Sequence, residues 1–216
     1  MATEPPKTKR KRRWLRFSFR FTIKTILVVT LLVSVWLAIY AQRSAVQRRL
    51  ITSVGELKGS TSYEFEWHDD VEPPPKWIRQ LLGDDFLLNV ASIHLSGTDL
   101  TDAQLGELLP YLEQCHKLDT LDLSHTRITD GGLNDLQSCS GIRVLYINDA
   151  CVTDDGLKYL EGFESLSCVG INTDLLTDIG LRNLAKIKNL IVLDLGDGEF
   201  DMEALVSKLP HISISY

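Results

Sequence analysis

Leu118-Asp-Thr-Leu121-Asp-Leu123-Ser-His-Thr126-Arg-Ile128-Thr129-Asp130-Gly-Gly-Leu133-Asn-Asp-Leu136 is one copy of a repeat that recurs along this chain of 216 residues. Further copies begin at Ile142, Leu166 and Leu190, at a spacing of 24, and an earlier copy begins at Val90, 28 residues before Leu118. Self-similarity at a fixed period is typical of stacked-repeat architectures. The sequence therefore predicts a solenoid of about five repeats, and it directs the search for function toward a binding surface.

Each repeat predicts a short strand followed by a short helix. The first half alternates apolar and polar residues with period two, which indicates a strand with one buried face. The second half spaces its apolar residues three and four apart, which indicates one side of a helix. Thr-Asp at the helix start, as at Thr129, offers a side-chain oxygen to the free N–H groups of the first turn. Thr101 and Gln104 form the pattern of a capping box.

These repeats resemble the leucine-rich repeat family, in its cysteine-containing and ribonuclease-inhibitor-like subclasses, over residues 88–216. The resemblance implies an α/β solenoid with parallel strands on a concave face and short helices on a convex face. The family usually has Asn or Cys at the ninth position of each repeat. Here that position holds Thr98, Thr126, Ala150, Asp174 and Gly198. The fifth copy departs most from the pattern, and a half-repeat from Leu209 to Ile214 predicts one last edge strand.

The front of the chain predicts a membrane anchor. Residues 1–22 are a basic tail, and the 19 residues from Ile23 to Ala41 carry one charge, Lys24. A helix of that length spans roughly 28 Å, close to the hydrocarbon thickness of a bilayer. A cleaved signal peptide is the alternative, but its apolar region would be shorter and would end in small residues, where this chain has Ile39. We therefore expect an uncleaved, single-pass signal-anchor of bacterial type.

The net charge of −6 is unevenly distributed. The segment up to Lys24 carries nine basic residues and one acidic residue, a balance of +8, and the remainder carries 14 basic and 28 acidic residues, a balance of −14. The positive-inside rule then predicts a cytoplasmic N-terminus and an exoplasmic repeat domain, either periplasmic or extracellular. An acidic domain is repelled by nucleic acid, so we expect no nucleic-acid partner.

Residues 42–87, between the anchor and the repeats, predict a helical stalk and an N-terminal cap. Apolar residues from Ala45 to Leu57 have helical spacing, and the predicted helix ends at Gly59. Alternation over 63–67 predicts a strand, and a short helix is predicted around Trp77 after three prolines. The first repeat of a solenoid would otherwise expose its core to water, so a cap is expected here.

Matching strand positions on successive repeats are expected to stack in columns, because adjacent parallel strands lie about 4.8 Å apart. The three columns are His94, Asp122, Tyr146, Gly170 and Asp194; Ser92, Thr120, Val144, Cys168 and Val192; and Ser96, Ser124, Asn148, Asn172 and Gly196. A tyrosine is a frequent interface anchor, and carboxylates favour a basic partner surface. We expect a protein partner to bind at His94, Asp122, Tyr146, Asn148, Asn172 and Asp194.

Other functions stay open. A membrane-tethered hydrolase is one alternative, because a Ser/His/Asp set could form from His94, Asp122 and either Ser96 or Ser124. No segment of the sequence resembles a nucleophile elbow. We therefore expect that the protein is not an enzyme. A self-associating envelope scaffold would pair through its stalk or through the last edge strand, on which Ile212, Ile214 and Tyr216 lie. Similar cysteine-containing repeats serve as substrate receptors in ubiquitin-ligase subunits, but those proteins carry an adaptor-binding domain where this chain has an anchor.

Cys115 and Cys139 occupy equivalent sites on adjacent repeats, each three residues before the first apolar position. They form a disulfide if their Cβ atoms approach within about 4 Å; the alternative is two small buried side chains. His68-Asp69-Asp70 with Glu72, and Asp197 with Glu199 and Asp201, are weak metal candidates because neither set follows a calcium-loop spacing. The chain has no C-x-x-C and no glycine-rich phosphate loop, so we expect no metal and no other cofactor.

Overall fold

The structure, a computed structural model, describes residues 23–64, 73–171, 177–196 and 202–215. The chain divides into two parts, Met1–Ile39 and Tyr40–Tyr216. Several residues of the sequence-based predictions lie outside the described residues: the strand end at 65–67, both weak metal candidates, Asn172 and Tyr216.

A long helix, α1 (Ile23–Glu56), begins the described chain. Its large apolar side chains from Ile23 to Ile39 are between 46% and 77% exposed. The helix is long and apolar enough to be a membrane span or a signal sequence. The later turns of the same helix are different, because Leu50 and Val54 belong to the main hydrophobic core. The amphipathic helix predicted after Ala45 is therefore the continuation of α1.

Seven strands form one sheet in chain order. They are β1 (Ser60–Tyr63), β2 (Val90–His94), β3 (Thr120–Asp122), β4 (Val144–Tyr146), β5 (Cys168–Gly170), β6 (Val192–Asp194) and β7 (Ser213–Ser215). β1 is antiparallel to β2, and every later pair is parallel. The strand predicted over 63–67 begins earlier than expected, because its pairing with β2 starts at Ser60.

Short helices connect the strands, as parallel pairing requires. They are α2 (Lys76–Leu82), α3 (Asp84–Leu87), α4 (Asp102–Leu112), α5 (Asp130–Leu136), α6 (Asp154–Leu157), α7 (Asp178–Leu184) and α8 (Met202–Lys208), and a 3-10 turn (Lys158–Gly162) follows α6. A threonine caps each of α4 to α7 by accepting a hydrogen bond from a backbone N–H of the first turn. The capping box predicted at Thr101 and Gln104 is confirmed.

The core lies between the sheet and these helices. The central residues of β2 to β6 are fully buried: Ile93, Leu121, Leu145, Val169 and Leu193. Leucines from the helices, such as Leu105 and Leu133, meet them from the other side and are also fully buried. Each such side chain contributes roughly 1.5–3 kcal/mol through burial, so the repeated leucine pattern supplies most of the stabilisation. The result is a mixed α/β fold with one continuous core.

A ladder of hydrogen bonds joins the helix starts of successive repeats. Asp130 accepts from both the N–H and the hydroxyl of Thr153, each at 2.7 Å. The same pair of bonds joins Asp102 to Thr129 and Asp154 to Thr177. The aspartate after each capping threonine therefore connects two repeats, a role that sequence analysis did not assign.

A glycine makes room for each of these carboxylates. A Cβ built on Gly132, Gly156 or Gly180 would lie 2.6, 2.1 or 2.2 Å from an Oδ1 of the aspartate in the preceding repeat. In the pattern Thr-Asp-x-Gly, the aspartate accepts hydrogen bonds from the threonine of the next repeat. The glycine leaves room for the aspartate of the preceding repeat. Among the described residues Asp178 accepts from Lys208, and this hydrogen bond holds the pKa of Asp178 below its usual value.

Candidate binding face

A row of side chains crosses the face of the sheet opposite the core. The strand register aligns His94, Asp122, Tyr146, Gly170 and Asp194 in adjacent positions, as the repeat spacing predicts. The second predicted column, from Ser92 to Val192, is aligned in the same way. Side chains alternate between the two faces of a strand, so these columns flank the buried central residues. We call the alignment from His94 to Asp194 the polar row.

Asp122 is held in place at the first half of the polar row. Its Oδ1 accepts from the backbone N–H of Ser124 at 3.0 Å. Its Oδ2 lies 3.8 Å from Nδ1 of His94, and the two side chains are 20% and 31% exposed respectively. Asp194 makes the same turn contact, because its Oδ1 accepts from the N–H of Gly196 at 3.4 Å. The turn after each strand thus fixes its carboxylate before any partner arrives.

Tyr146 lies at the centre of the polar row, against Gly170. A Cβ built on Gly170 would lie 2.3 Å from Cδ1 of Tyr146, so the ring occupies the space that any other residue at 170 would fill. Burial raises the pKa of Tyr146, and Cys168, Asp194 and Asp122 raise it further. The phenol therefore stays neutral at physiological pH. Sequence analysis placed Gly170 in the column but did not see that its missing side chain positions the ring.

The third predicted column begins beside the polar row. The N–H of Gly97 donates to the carbonyl of Ser124, and the N–H of His125 donates to the carbonyl of Asn148, so neighbouring turns are joined through their backbones. Oδ1 of Asn148 is buried and has no hydrogen-bond partner among the described residues. Asn172, its neighbour in the next repeat, lies outside them. The binding role of Asn148 and Asn172 stays a prediction.

A second histidine–aspartate pair extends the polar face at the turns. Nδ1 of His125 lies 3.2 Å from Oδ2 of Asp149, and these side chains are 60% and 50% exposed. Both residues have left-handed backbones, with φ of 54° and 51°, where the first repeat has Gly97 with φ of 70°. Histidine and aspartate are among the residues that tolerate this conformation. Sequence analysis missed the pair. The available signal was that His125 and Asp149 each directly follow a residue of the third column.

The two cysteines with equivalent positions are close in space and protected from solvent. Cys115 and Cys139 are buried free thiols. Burial raises the pKa of Cys115 to about 11, with a further contribution from Cys139. Burial also raises the pKa of Cys139. Protonated thiols are poor nucleophiles, and the arrangement is that of two small buried side chains. The disulfide stays a prediction.

The described residues contain no group of three or more His, Cys, Asp and Glu side chains arranged to hold a metal ion. The two weak candidates from the sequence, around His68 and Asp197, are outside that part of the chain.

Comparisons with known proteins give limited similarity. No family model and no curated protein matches the chain. The structure of leiomodin-1 actin-binding site 2 is 16% identical with a TM-score of 0.45, covering 56% of this chain and 76% of that one. The tropomodulin C-terminal domain of Caenorhabditis elegans is 14% identical with a TM-score of 0.44, covering 56% and 83%. An internalin of Listeria monocytogenes is 14% identical with a TM-score of 0.31, covering 65% and 54%. These neighbours include leucine-rich-repeat-like folds, but likeness at this level assigns no role to any residue of the polar row.

Proposed function

We propose that the protein is a non-enzymatic interaction module: a single-pass membrane protein that presents an acidic leucine-rich-repeat solenoid outside the cytoplasm. The observation that supports it best is the polar row, in which a neutral Tyr146 lies between Asp122 and Asp194 on the open face of the sheet. Its binding residues would be His94, Asp122, Tyr146, Asn148, Asn172 and Asp194, and its partner a protein with a basic surface.

The chemistry of the polar row favours a lysine or arginine side chain of the partner. Two carboxylates raise the pKa of the same phenol, so both contribute negative potential at Tyr146. A cation over a tyrosine ring gains about 0.5–2 kcal/mol from the ring itself. The carboxylates add long-range attraction, which mainly accelerates association. Because Asp122 and the ring of Tyr146 are already held by Ser124 and Gly170, the partner orders few side chains on binding.

Anchoring through residues 23–41 is the second element of the proposal. The apolar side chains of this stretch are exposed all round the helix, which suits hydrocarbon and not water. The nine basic residues up to Lys24 favour a cytoplasmic N-terminus, so that the repeat domain is exoplasmic.

The geometry does not favour the hydrolase alternative. Nδ1 of His94 and Oδ2 of Asp122 are 3.8 Å apart, which is beyond a hydrogen bond. The remaining oxygen of Asp122 accepts from the N–H of Ser124, and the Ser124 residue itself is 6% exposed. A nucleophile has to reach its substrate, which disfavours Ser124 but not the exposed Ser96. The distance between His94 and Asp122 is therefore the observation that makes a polar recognition face the better use of these residues.

The test is site-specific photo-crosslinking in intact cells or spheroplasts. A photo-reactive residue in place of Tyr146 is expected to give a discrete protein adduct, whereas the same residue in place of Ile179, 58% exposed on α7, is not. Asp122→Lys with Asp194→Lys should remove the adduct and slow association with the captured partner about tenfold or more, because both carboxylates would become cations. The matched control is Asp155→Lys, an exposed carboxylate on α6.

The same experiment tests the topology. Protease added from outside before illumination should abolish the adduct from Tyr146 while a membrane-bound fragment with the N-terminus survives. Equal adducts from Tyr146 and Ile179, or an unchanged association rate after the two charge reversals, would reject the binding face. An adduct that survives external protease in spheroplasts with a sealed inner membrane would reject the exoplasmic topology.

A further inference from the structure

The contact between helices α7 and α8 differs from the contacts between earlier repeats, because the last repeat is shorter. The copies from Leu118 to Leu190 begin 24 residues apart, whereas the final half-repeat begins at Leu209, 19 residues after Leu190 (209 minus 190). Neighbouring helices from α4 to α7 contact each other in pairs, as stacked repeats do. The fifth repeat has fewer residues than the others with which to cover the fourth.

A cavity of about 250 Å³ lies between α7 and α8. Leu181 and Ala185 give it an apolar lining, and Asp178, Arg182 and Lys208 give it charged groups. Leu181 is 7% exposed, whereas Arg182 and Ala185 are exposed, so the cavity opens from an edge of the core to solvent. Liquid water occupies about 30 Å³ per molecule, so the space suits several waters or one small organic molecule.

The small side chain of Ala185 keeps this cavity open. The same position in the second and third repeats holds Gln137 and Glu161, at the spacing of 24. Oε1 of Gln137 lies 2.6 Å from the place where a Cβ would stand on Gly162, so its side chain fills the space toward the next repeat. A single methyl group at 185 does not reach as far. The fourth repeat therefore lacks the side chain that would close the contact.

The charge at the cavity favours an anion. Lys208 donates a hydrogen bond to Asp178, and Arg182 is near enough to contribute to the lowered pKa of the same carboxyl. Two cations and one carboxylate leave a net charge of +1, although the chain beyond Lys24 is strongly acidic. The stretch 179–193 has three basic residues and no acidic one. A singly charged anion matches this balance, whereas Asp178 opposes a dianion.

We propose that the cavity between α7 and α8 binds a small aliphatic carboxylate, with its carboxylate group on Arg182 and Lys208 and its hydrocarbon part on Leu181 and Ala185. The volume limits the ligand to a few carbon atoms, and the apolar lining distinguishes it from an inorganic anion. The site is independent of the polar row, which lies on the other face of the sheet. A bound molecule would touch both helices and so hold the last repeat more firmly on the fourth.

The test uses the full chain in a non-ionic detergent, with isotope-labelled methyl groups on alanine and leucine for nuclear magnetic resonance. Pentanoate is the probe. It is compared with pentylamine, which has the same carbon chain and the opposite charge, and with inorganic phosphate. The methyl signals of Ala185 and Leu181 report on the cavity, and the signal of Ala103, exposed on α4, reports on unspecific effects.

Binding predicts saturable shifts of the Ala185 and Leu181 signals with pentanoate, with a Kd on the order of 1 mM for a ligand of this size. Pentylamine and phosphate should give no saturable shift. Arg182→Gln should weaken pentanoate binding about tenfold or more, because it removes a cation with several donors. The matched control is Arg143→Gln, an arginine that pairs with Asp119 away from the cavity and should leave the Kd unchanged.

Ala185→Gln tests the cavity itself, because it installs the residue that the second repeat has at this position and leaves every charge in place. The Leu181 signal should then no longer shift with pentanoate. Position 185 is exposed at the end of α7, so the circular dichroism should not change. If it does change, Arg182→Gln against Arg143→Gln decides alone.

No saturable shift with pentanoate up to about 50 mM, far above the expected Kd, would overturn the proposal. Equal shifts with pentylamine or phosphate would do the same, and so would shifts of Ala103 as large as those of Ala185, since both indicate unspecific association. Saturable binding that persists in a folded Ala185→Gln variant would place the ligand elsewhere and would also reject the site.

Discussion

Gly156 and Asp130 compete for the same space, and this competition explains the residues at the start of each repeat helix. Asp130 accepts two hydrogen bonds from Thr153, and its Oδ1 passes where a side chain on Gly156 would begin. A hydrogen bond to a charged group contributes about 1.5–3 kcal/mol net, so the two bonds that Asp130 accepts stabilise the contact between repeats. Glycine at 156 is therefore required by the neighbouring repeat and not by its own helix.

Gly156→Ala is expected to destabilise the protein by about 1–3 kcal/mol, because the new methyl group displaces the Asp130 carboxylate from Thr153. Gly106→Ala is the matched control: Gly106 lies within α4, and nothing is within 4 Å of its added Cβ. There the substitution should stabilise by about 0.5–1 kcal/mol through helix propensity alone. Urea unfolding of the full chain in detergent, followed by circular dichroism, measures both.

The double variant Asp130→Ala with Gly156→Ala isolates the clash. In the Asp130→Ala background the main obstacle is gone and only Cγ1 of Val152, 3.0 Å from the built Cβ, stays close, so Gly156→Ala should become nearly neutral there. Additive losses from the two substitutions would show that the glycine serves another purpose.

At the residue level, the sequence predicted the threonine N-caps of the helices but not the hydrogen bonds that join successive repeats. Thr101 and Thr129 were predicted as N-caps because hydroxyl-bearing residues before a helix satisfy its free N–H groups. The aspartate after each threonine fits the same explanation, since an acid in the first turn also favours the helix dipole. Its bond to the next repeat depends on how repeats stack. The spacing of Gly132, Gly156 and Gly180 is the signal that a sequence reader could have used.

At the scale of elements, α1 contains two kinds of residues with different surroundings. Its apolar turns up to Ile39 are exposed, while Leu50 and Val54 are 0% and 1% exposed in the repeat core. Leucine and valine spaced by four residues face one direction, and β1 covers the same end of the sheet by pairing with β2. The first parallel strand is thereby shielded from water, as the end of the proposed solenoid would require.

Leu50→Ala is expected to destabilise the repeat domain by about 2–5 kcal/mol, the cost of a cavity in a packed core. The control is Thr52→Ala on the same helix, at an exposed position whose hydroxyl bonds only to the carbonyl of Arg48; it should change stability by less than about 0.5 kcal/mol. Unfolding curves of both variants in detergent give the comparison. Equal, small effects would mean that the later turns of α1 are dispensable for the fold.

Element boundaries in this region were only partly predictable. Hydropathy locates an apolar stretch and spacing locates an amphipathic one. No helix-breaking residue separates the two stretches, but neither signal by itself shows that they form one uninterrupted helix. The parallel strands, in contrast, follow directly from the 24-residue period, because each repeat places its buried strand residue at the same position. The polar row was predictable for that reason, and the ring of Tyr146 over Gly170 was not, since it depends on side-chain rotation.

At the scale of the whole molecule, the two edges of the sheet are covered differently. The β1 end is covered by the later turns of α1, whereas β7 pairs, among the described strands, with β6 alone. Ile212 and Ile214 in this last segment are partly buried against the core, and Leu209 before them is 2% exposed. The side chains of Ile212 and Ile214 are therefore already packed within the chain, while Tyr216 lies outside the described residues.

Removal of residues 210–216 distinguishes these roles. Because Ile212 and Ile214 pack on the core, the truncated chain should lose about 2–4 kcal/mol of stability. The buried side chain of Leu193, on the neighbouring strand β6, would then face water. If the interaction module is the better account, the oligomeric state, measured by light scattering in detergent, should be the same for both chains, since β7 would then only close the core. Ser213→Ala with Ser215→Ala is the control, because both side chains are exposed and their loss leaves the core packing intact. A truncated chain of full stability that falls from oligomer to monomer would instead assign β7 to self-association, and would replace the interaction module with the scaffold as the better account of the protein.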